Sequence, residues 1–278
     1  MNALINFENL IIQNQGISPM TFDMVAQILT LGFAVMLAAL FYFVLTIRTV
    51  APQYRISSVL SVVVMVSAFL ILFYQAQSWT QTFTFNFSTG LYELAPGAEA
   101  FSNGYRYLNW LIDVPMLLFQ ILFIVNITRE KRATLRNWFF FSGAMMIITG
   151  YIGQFYEAQA DQAPFFIWGA ISTAFFIHVL YLIYRVIQES RQTMSKRAGD
   201  NMQLIWYLFF VSWMLYPGAY LMPVFLNNEA GIVGRQLTYT VADIASKVIY
   251  GVMLTYVAQI RSEEEGFVSD MGVAKAAS

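Results

Sequence analysis

The sequence predicts an all-α membrane protein, a bundle of seven transmembrane helices. Two observations point to this class. The 278-residue chain is 58% hydrophobic and only 11% charged, and its mean hydropathy of +0.58 is rarely reached by a soluble domain of that length. Its apolar residues also fall into stretches of about 20, the length that a helix needs to cross the hydrocarbon core of a bilayer. The expected surroundings are therefore a lipid bilayer, and no nucleic-acid partner is expected.

The polar borders of these stretches place the seven spans. They cover about residues 22–47, 56–76, 104–128, 135–156, 163–187, 202–226 and 233–260. Most of the 15 Lys and Arg residues fall at the ends joined by the first, third and fifth loops, or in the C-terminal tail. Cytoplasmic loops of membrane proteins carry such an excess of basic residues. The N-terminus is therefore predicted to be extracellular and the C-terminus cytoplasmic.

Two segments on the predicted extracellular side have structure of their own. The stretch NFENLIIQ near the N-terminus predicts a short amphipathic helix. Between the second and third spans, TQTFTFNFSTG alternates polar and apolar residues and predicts a strand that ends at Gly90, within a β-hairpin-like loop. Because no domain boundary or internal repeat is visible, residues 1–278 are expected to form one domain.

The composition excludes several kinds of site. Because the sequence contains no cysteine, it can form no disulfide, thiolate metal site or cysteine nucleophile. The single histidine, His178, cannot build a metal site by itself. We expect it to pack between helices.

The third span carries charged and polar residues on one face. Asp113 lies in the middle of an apolar run, where a charge costs roughly 3 kcal/mol or more and usually serves a function. Arg106, Asp113 and Gln120 are seven residues apart, and Asn109 lies about 60° from Arg106 around the helix. We expect this face to look into the bundle.

The seventh span carries complementary charges in ADIASKVIYG. Asp243 and Lys247 are four residues apart and share one helix face, and Lys247 is too deep to reach either interface easily. It could form an inert ion pair with Asp243 or Asp113. Alternatively, a desolvated lysine forms a Schiff base with a carbonyl cofactor. Aromatic residues that could wall a flat polyene, or serve as ordinary core, are Trp110, Trp213, Tyr216 and Tyr250.

At these residues the chain resembles the microbial rhodopsins. The resemblance rests on the order of the seven helices and on RYLNWLIDVP, WMLYPGAY and DIASKVIYG, and it extends over nearly the whole chain. Within that family, the triplet Asn109, Asp113 and Gln120 resembles the light-driven sodium pumps, whose SGAMMIITGYIGQFYE and NFEN segments also occur here. The resemblance implies all-trans retinal on Lys247, with Asp113 as its counterion.

The same resemblance implies roles for further residues. Arg106 and Asp243 would lie on the release side. The retinal pocket would contain Trp110, Trp213, Tyr216, Pro217 and Ser246. The ion path would involve Ser67 and Gln154, a cytoplasmic filter of Ser58 and Thr255, and an extracellular cluster of Glu8, Glu157 and Arg235. The resemblance also implies a homopentamer in a bacterial inner membrane, with Gln27 at the position of a histidine found at the protomer contact of some relatives. An antenna carotenoid would bind beside Gly169.

The predicted function is light-driven outward transport of Na⁺, and the protein would be a transporter rather than an enzyme. Outward proton pumps of the family carry carboxyls where this chain has Asn109 and Gln120, which cannot titrate. Asp113 would take the Schiff-base proton and so remove a repulsion of about 4 kcal/mol on a sodium ion 4 Å away. Asn109, Asp113 and Asp243 would bind Na⁺ transiently through oxygen atoms. Without Na⁺ the protein would pump protons.

Other functions remain open at this point. A proton pump with unusual residues is the main alternative, followed by a sensory rhodopsin. A chloride pump would need a neutral residue in place of Asp113, because a carboxylate there occupies the anion site. A hormone receptor of the seven-helix type is disfavoured by the absence of cysteine and by Lys247.

Overall fold

A computed structural model describes residues 6–269, which form a helical bundle with one small hairpin. The helices are α1 (Phe7–Gln15), α2 (Pro19–Thr46), α3 (Arg55–Thr82), α4 (Gly104–Ile121), α5 (Arg129–Gln154), α6 (Ala163–Arg191), α7 (Lys196–Tyr220), α8 (Met222–Phe225), α9 (Glu229–Asp243) and α10 (Tyr250–Glu264), and the strands are β1 (Phe83–Asn86) and β2 (Leu91–Leu94). A π-helical turn, Ile244–Ile249, joins α9 to α10, so residues 229–264 form one continuous helix.

Each of the seven predicted spans contains a long helix, and the predicted all-α bundle is confirmed. The long helices pack against their neighbours in sequence, and α9 packs against both α2 and α7, which closes the bundle around its main hydrophobic core. Four helical segments in the range 6–269 are long and apolar enough to cross a membrane: Pro19–Thr49, Pro52–Thr82, Ala163–Arg191 and Glu229–Glu264. The remaining long helices are more polar because α5 and α7 begin with charged turns and α4 carries a buried polar face.

The predicted third span is too long. Helix α4 ends at Ile121, before the predicted end at residue 128. Residues 122–124 continue as tighter turns, in which each backbone N–H bonds to the carbonyl three residues back. Arg261 of α10 binds the Ile124 carbonyl, which the tighter turns leave free. The apolar run therefore continues as a buried irregular segment and not as a helix.

Three other spans begin earlier than predicted because their first turns are polar. In each case the residue before the helix caps it, by accepting a hydrogen bond from the backbone N–H three residues ahead. The starts and their caps are Arg129 after Thr128, Lys196 after Ser195 and Glu229 after Asn228. The sixth span also ends earlier, at Tyr220 instead of residue 226, and is followed by the short helix α8.

The predicted N-terminal helix and the β-hairpin are both confirmed, and they lie at one end of the bundle, which we call the hairpin end. Strands β1 and β2 pair antiparallel, with Phe83 opposite Leu94. Gly90 in the turn has a φ of 73°, a conformation that glycine adopts without strain. Phe22 of α2 stacks on Tyr92 of β2 at 3.8 Å, within a second hydrophobic cluster. The opposite end carries the basic loops, and we call it the basic end.

A buried cluster of charges attaches α1 to the hairpin end. Nη2 of Arg235 lies 2.8 Å from Oε2 of Glu157, and Nε lies 3.6 Å from Oε1 of Glu8. All three side chains are buried. Glu157 also accepts a hydrogen bond of 3.0 Å from the backbone N–H of Phe7 in α1. The bundle therefore brings together the three residues assigned to one cluster by family resemblance.

Replacing Arg235 with alanine should destabilise the protein by roughly 3–5 kcal/mol, because two buried carboxylates lose the cation that both contact. Thermal unfolding of the purified protein, followed by helical circular dichroism, should show a lower midpoint for Arg235→Ala. Arg48→Ala is the matched control, because Arg48 is exposed, and it should leave the midpoint unchanged. Equal midpoints for the two variants would rule out a structural role for the cluster.

Candidate functional site

Helix α4 turns its polar face into the bundle, as the spacing of that face predicts. The buried residues on this face are Arg106, Asn109, Asp113 and Gln120. On the outer face, Leu108 is 50% exposed and Ile112 is 48% exposed, as expected for side chains in contact with lipid. The polar side chains therefore form a line through the bundle, from Arg106 on the hairpin side to Gln120 on the basic side.

Four buried charged residues meet at the centre of this line, and we call them the charge quartet: Arg106, Asp113, Asp243 and Lys247. The Lys247 side chain bonds to Oδ1 of Asp243, and its Nζ atom lies 3.8 Å from Oδ2 of Asp113. Nη1 of Arg106 donates to Oδ2 of Asp243 at 2.8 Å. The two cations and two anions balance in formal charge. Lys247 thus contacts both of the carboxylates considered as its partners.

Asp243 is held by four donors. Its Oδ1 atom accepts from Trp110 Nε1 at 3.0 Å and from the Tyr216 hydroxyl at 2.9 Å, in addition to Lys247. Its Oδ2 atom accepts from Arg106. The Tyr216 hydroxyl also lies 2.9 Å from the hydroxyl of Ser246. These contacts bring α4, α7 and the helix over residues 229–264 together at one carboxylate.

Asp113 has a different environment. Among residues 6–269, none makes a well-formed hydrogen bond to either of its carboxylate oxygens, although the side chain is fully buried and Ser67 and Asn109 lie close to it. Its charged neighbour is Lys247. The Asp113 carboxylate is therefore held by fewer and weaker contacts than that of Asp243, which accepts four hydrogen bonds.

Two further partners of Arg106 were not predicted from the sequence. Nη2 of Arg106 donates to Thr240 Oγ1 at 3.2 Å and to Gln236 Oε1 at 3.5 Å. Thr240 lies one turn before Asp243 and Gln236 lies two turns before it, on the same face of α9. That spacing is the signal that could have identified them.

The backbone around Lys247 also departs from the regular helix that periodicity assumes. In the π-helical turn Ile244–Ile249, hydrogen bonds reach back five residues, and such turns are rare and frequent at functional sites. Ser246 and Lys247 both lie in this turn and are buried. The irregular turn therefore contains Ser246 and Lys247, to which the family resemblance gives roles in cofactor binding.

An apolar cavity of about 260 Å³ lies beside the quartet. The predicted pocket residues that line it are Trp110, Trp213, Tyr216 and Pro217. Tyr250 packs elsewhere, because its hydroxyl donates to the Leu117 carbonyl at 2.8 Å. Lys247 is not among the lining residues, but Trp110 and Tyr216 share with it the carboxylate of Asp243. An apolar cavity so close to a buried amine fits a flat apolar carbonyl compound such as all-trans retinal.

The two amides on α4 each bond to a serine of α3. Nδ2 of Asn109 donates to Ser67 Oγ at 2.8 Å, and Oε1 of Gln120 accepts from Ser61 Oγ at 3.1 Å. Ser67 was predicted, whereas Ser61 was not. The polar path thus continues on both sides of Asp113.

The remaining predicted residues are dispersed. Ser58 and Thr255 are buried near the basic end, and Gln154 is buried at the end of α5. His178 of α6 bonds through Nδ1 to Ser142 Oγ of α5 at 2.8 Å, a contact between packed helices as expected. Gln27 is exposed on α2.

Comparison with known proteins connects this site with a family. The family described as Bacteriorhodopsin-like protein matches residues 23–260. Bacteriorhodopsin-II of Haloarcula marismortui is 27% identical over 54% of this chain and 57% of its own length. Bacteriorhodopsin of Halobacterium salinarum is 26% identical over 58% of each chain. The matched segments therefore span about three fifths of these curated relatives.

Solved structures agree over a greater length. Xanthorhodopsin, described as a light-driven ion pump with dual chromophore, superposes with a TM-score of 0.83 at 32% identity, over 91% of this chain and 98% of that one. A thermophilic rhodopsin gives a TM-score of 0.83 at 28% identity, over 91% of this chain and 99% of that one. Because the family match covers most of the sequence and the fold agrees along nearly all of it, this chain belongs to the bacteriorhodopsin-like family of microbial rhodopsins.

Proposed function

We propose that this protein is a light-driven outward sodium pump that carries all-trans retinal on Lys247. The observation that carries the proposal is the chemistry along α4, where one carboxyl, Asp113, stands between two amides. Neither Asn109 nor Gln120 takes up or releases a proton near neutral pH. A proton relay along α4 would need carboxyls at those positions. Amide and hydroxyl oxygens suit a hard cation instead.

Asp113 is the residue to receive the transferred proton. Retinal bound to Lys247 would supply the light absorption and a protonated, positively charged nitrogen at Nζ. Oδ2 of Asp113 lies 3.8 Å from that atom. Since no residue in the range 6–269 makes a well-formed hydrogen bond to the Asp113 carboxylate, its protonation would cost no strong hydrogen bond. Trp110, Trp213, Tyr216 and Pro217 would enclose the cofactor, and Ser246 lies behind them in contact with the Tyr216 hydroxyl.

Movement of this proton would gate the path of the cation. While Nζ is charged, it repels a sodium ion 4 Å away by about 4 kcal/mol at an effective dielectric constant of about 20. Transfer of the proton to Asp113 removes this repulsion, and its return restores the barrier behind the ion. The proton then acts as a gate, and Na⁺ is the transported species.

The ion would bind only transiently. Asn109, Asp113 and Asp243 offer oxygen ligands of the kind that Na⁺ prefers. At rest, both oxygens of Asp243 accept hydrogen bonds. Na⁺ therefore binds there only after Arg106 or Lys247 has moved away, and it leaves when those contacts form again. Because Arg106 and Lys247 compete with Na⁺ for the Asp243 carboxylate, the ion would be released rather than held there.

The relatives support a light-driven pump and leave the transported ion open. Xanthorhodopsin is described as a light-driven ion pump, in agreement with the prediction that this chain is a transporter and not an enzyme. An outward proton pump is the alternative for this chain, and a sensory rhodopsin is a second one. The choice of Na⁺ rests on the amides that flank Asp113.

The proposed membrane, oligomeric state and antenna pigment follow from the same family resemblance. Residues 1–278 would act as one domain in a bacterial inner membrane, with the basic end in the cytoplasm, where the positive-inside rule places basic loops. We expect a homopentamer, supported by the exposed Gln27 on α2, since an amide is poorly suited to face lipid. Gly169 lines the apolar cavity, and the absence of a side chain there supports an antenna carotenoid beside it.

Lys247 should carry the pigment. Cells that express the native protein with retinal should show a visible absorbance band, and Lys247→Ala should abolish it because the amine that bonds to the cofactor is gone. Lys131→Ala, at a partly exposed lysine, should keep the band. A coloured Lys247→Ala protein without an added retinal-amine compound would show that the attachment site is wrong.

Asp113→Asn should shift the band to longer wavelengths at neutral pH and abolish transport. The variant loses the negative charge beside the positive nitrogen, and it also loses the proton acceptor. Absorption spectra and light-driven ion fluxes measure the two effects. Asp23→Asn, at an exposed carboxylate, should change neither. Native Na⁺ transport by Asp113→Asn would contradict the gating account.

Illuminated cells should move different ions in different salts. In KCl they should acidify the medium, because the proton still reaches Asp113 when Na⁺ is absent. In NaCl with a protonophore, light should instead drive passive proton uptake, since Na⁺ export makes the cell interior negative.

Gln120→Asp is the matched variant for this pair of experiments. It should speed the return of the proton in KCl, because a carboxyl can donate where an amide cannot. Acidification in NaCl that the protonophore abolishes would identify a proton pump.

A further inference from the structure

The apolar cavity beside the quartet reaches the lipid-facing surface between α6 and α7, and we call this gap the α6–α7 opening. Its outer rim includes Phe166, Gly169 and Thr173 of α6 and Leu221 after α7. Phe166 is 46% exposed, and Thr173 is also exposed. The inner wall consists of the predicted pocket residues Trp110, Trp213, Tyr216 and Pro217. One continuous space therefore connects the outer surface with the pocket.

Buried side chains lie across both ends of the bundle in the described part of the chain. At the hairpin end, α1 lies over buried hydrogen bonds from Asn103 and Gln236 to Glu8, at 2.8 and 3.0 Å. At the basic end, Leu122 and Ile124 are buried beyond the end of α4, where Arg261 binds the Ile124 carbonyl. A long apolar molecule dissolves in lipid rather than in water. It would therefore meet the α6–α7 opening directly from the membrane.

We propose that the α6–α7 opening is the route by which retinal enters from the lipid to reach Lys247. The inference rests on the proposed retinal-binding function. At the inner end of the route, Trp110 and Tyr216 donate to Asp243, which bonds to Lys247. An aldehyde that reaches Trp110 and Tyr216 is thus separated from the Lys247 amine only by the Asp243 carboxylate, to which all three residues bond. The aldehyde carbon bonds to Nζ, and the aldehyde oxygen leaves as water with two of the three protons of the ammonium group, so that one positive charge remains.

Gly169 is the residue that keeps the route open. A Cβ atom at this position would lie 3.0 Å from Cε1 of Tyr220. Tyr220 has little freedom to move, because its hydroxyl donates to the Phe165 carbonyl at 2.9 Å and its ring stacks on Phe165 at 4.4 Å. A large side chain at position 169 would therefore fill the opening instead of displacing Tyr220.

The test is the rate at which the retinal-free protein takes up retinal. The protein is expressed without retinal, purified, placed in lipid vesicles and mixed with all-trans retinal, and the rise of the visible band is followed. Gly169→Phe should slow the rise at least tenfold. Gly218→Phe is the matched control on α7, because a Cβ atom there meets nothing within 4 Å, and it should load at the native rate. Phe166→Ala widens the rim and should load at least twofold faster.

A parallel preparation of each variant is made with retinal present during synthesis, so that slow entry is separated from loss of the pocket. A Gly169→Phe protein that is coloured in this preparation and loads slowly afterwards supports the route. Native loading rates for both Gly169→Phe and Phe166→Ala would overturn the route and leave retinal binding intact. If Gly169→Phe never becomes coloured, the loading rate of Phe166→Ala tests the route instead. Faster loading than in the native protein supports the route, and an unchanged rate overturns it. A native protein that never becomes coloured would overturn the retinal assignment itself.

Discussion

The burial of four charges at the centre of an apolar bundle is the constraint on which the rest of this structure depends. A charge in a low-dielectric interior costs several kcal/mol, so each one needs an opposite charge and hydrogen bonds within reach. Asp243 meets this need for Arg106 and Lys247, with support from Trp110 and Tyr216. These contacts determine which faces of α4, α7 and the helix over residues 229–264 turn inward. The position of the apolar cavity follows, because two of the same side chains form its inner wall.

In the proposed mechanism, the balance of charges would let the transfer of one proton control the passage of an ion. A proton that moves from Lys247 to Asp113 leaves the sum of the charges unchanged but neutralises one cation and one anion. Arg106 and Asp243 remain paired at 2.8 Å. Because a protein interior screens charges weakly, the loss of one positive charge changes the energy of a nearby cation by several kcal/mol. Because the amides beside Asp113 supply no second proton, this one transfer would dominate the electrostatics of the proposed ion path.

The buried charges at the centre of the site could be predicted from the sequence, whereas the backbone irregularities and the hydrogen-bond partners around them could not. Asp113 and Lys247 interrupt long apolar runs, and charges in such places have few explanations other than pairing and function. The end of α4 at Ile121 was missed because it depends on a contact from Arg261, which is distant in sequence. Ser61 was missed for a related reason: serine is common within helices, and its partner becomes visible only when α3 and α4 are packed. Periodicity likewise assumes a regular helix and gives no sign of the π-helical turn around Lys247.

The central claim is that the proton is the gate and Na⁺ is the cargo. The most direct measurement is light-driven uptake of radioactive sodium into vesicles that contain the purified native protein in one orientation, with a protonophore present to remove any proton gradient. The account predicts that sodium accumulates inside the vesicles against its concentration gradient in the light, and that the accumulation stops in the dark. Light-driven proton movement without the protonophore, together with no sodium movement in its presence, would contradict the account.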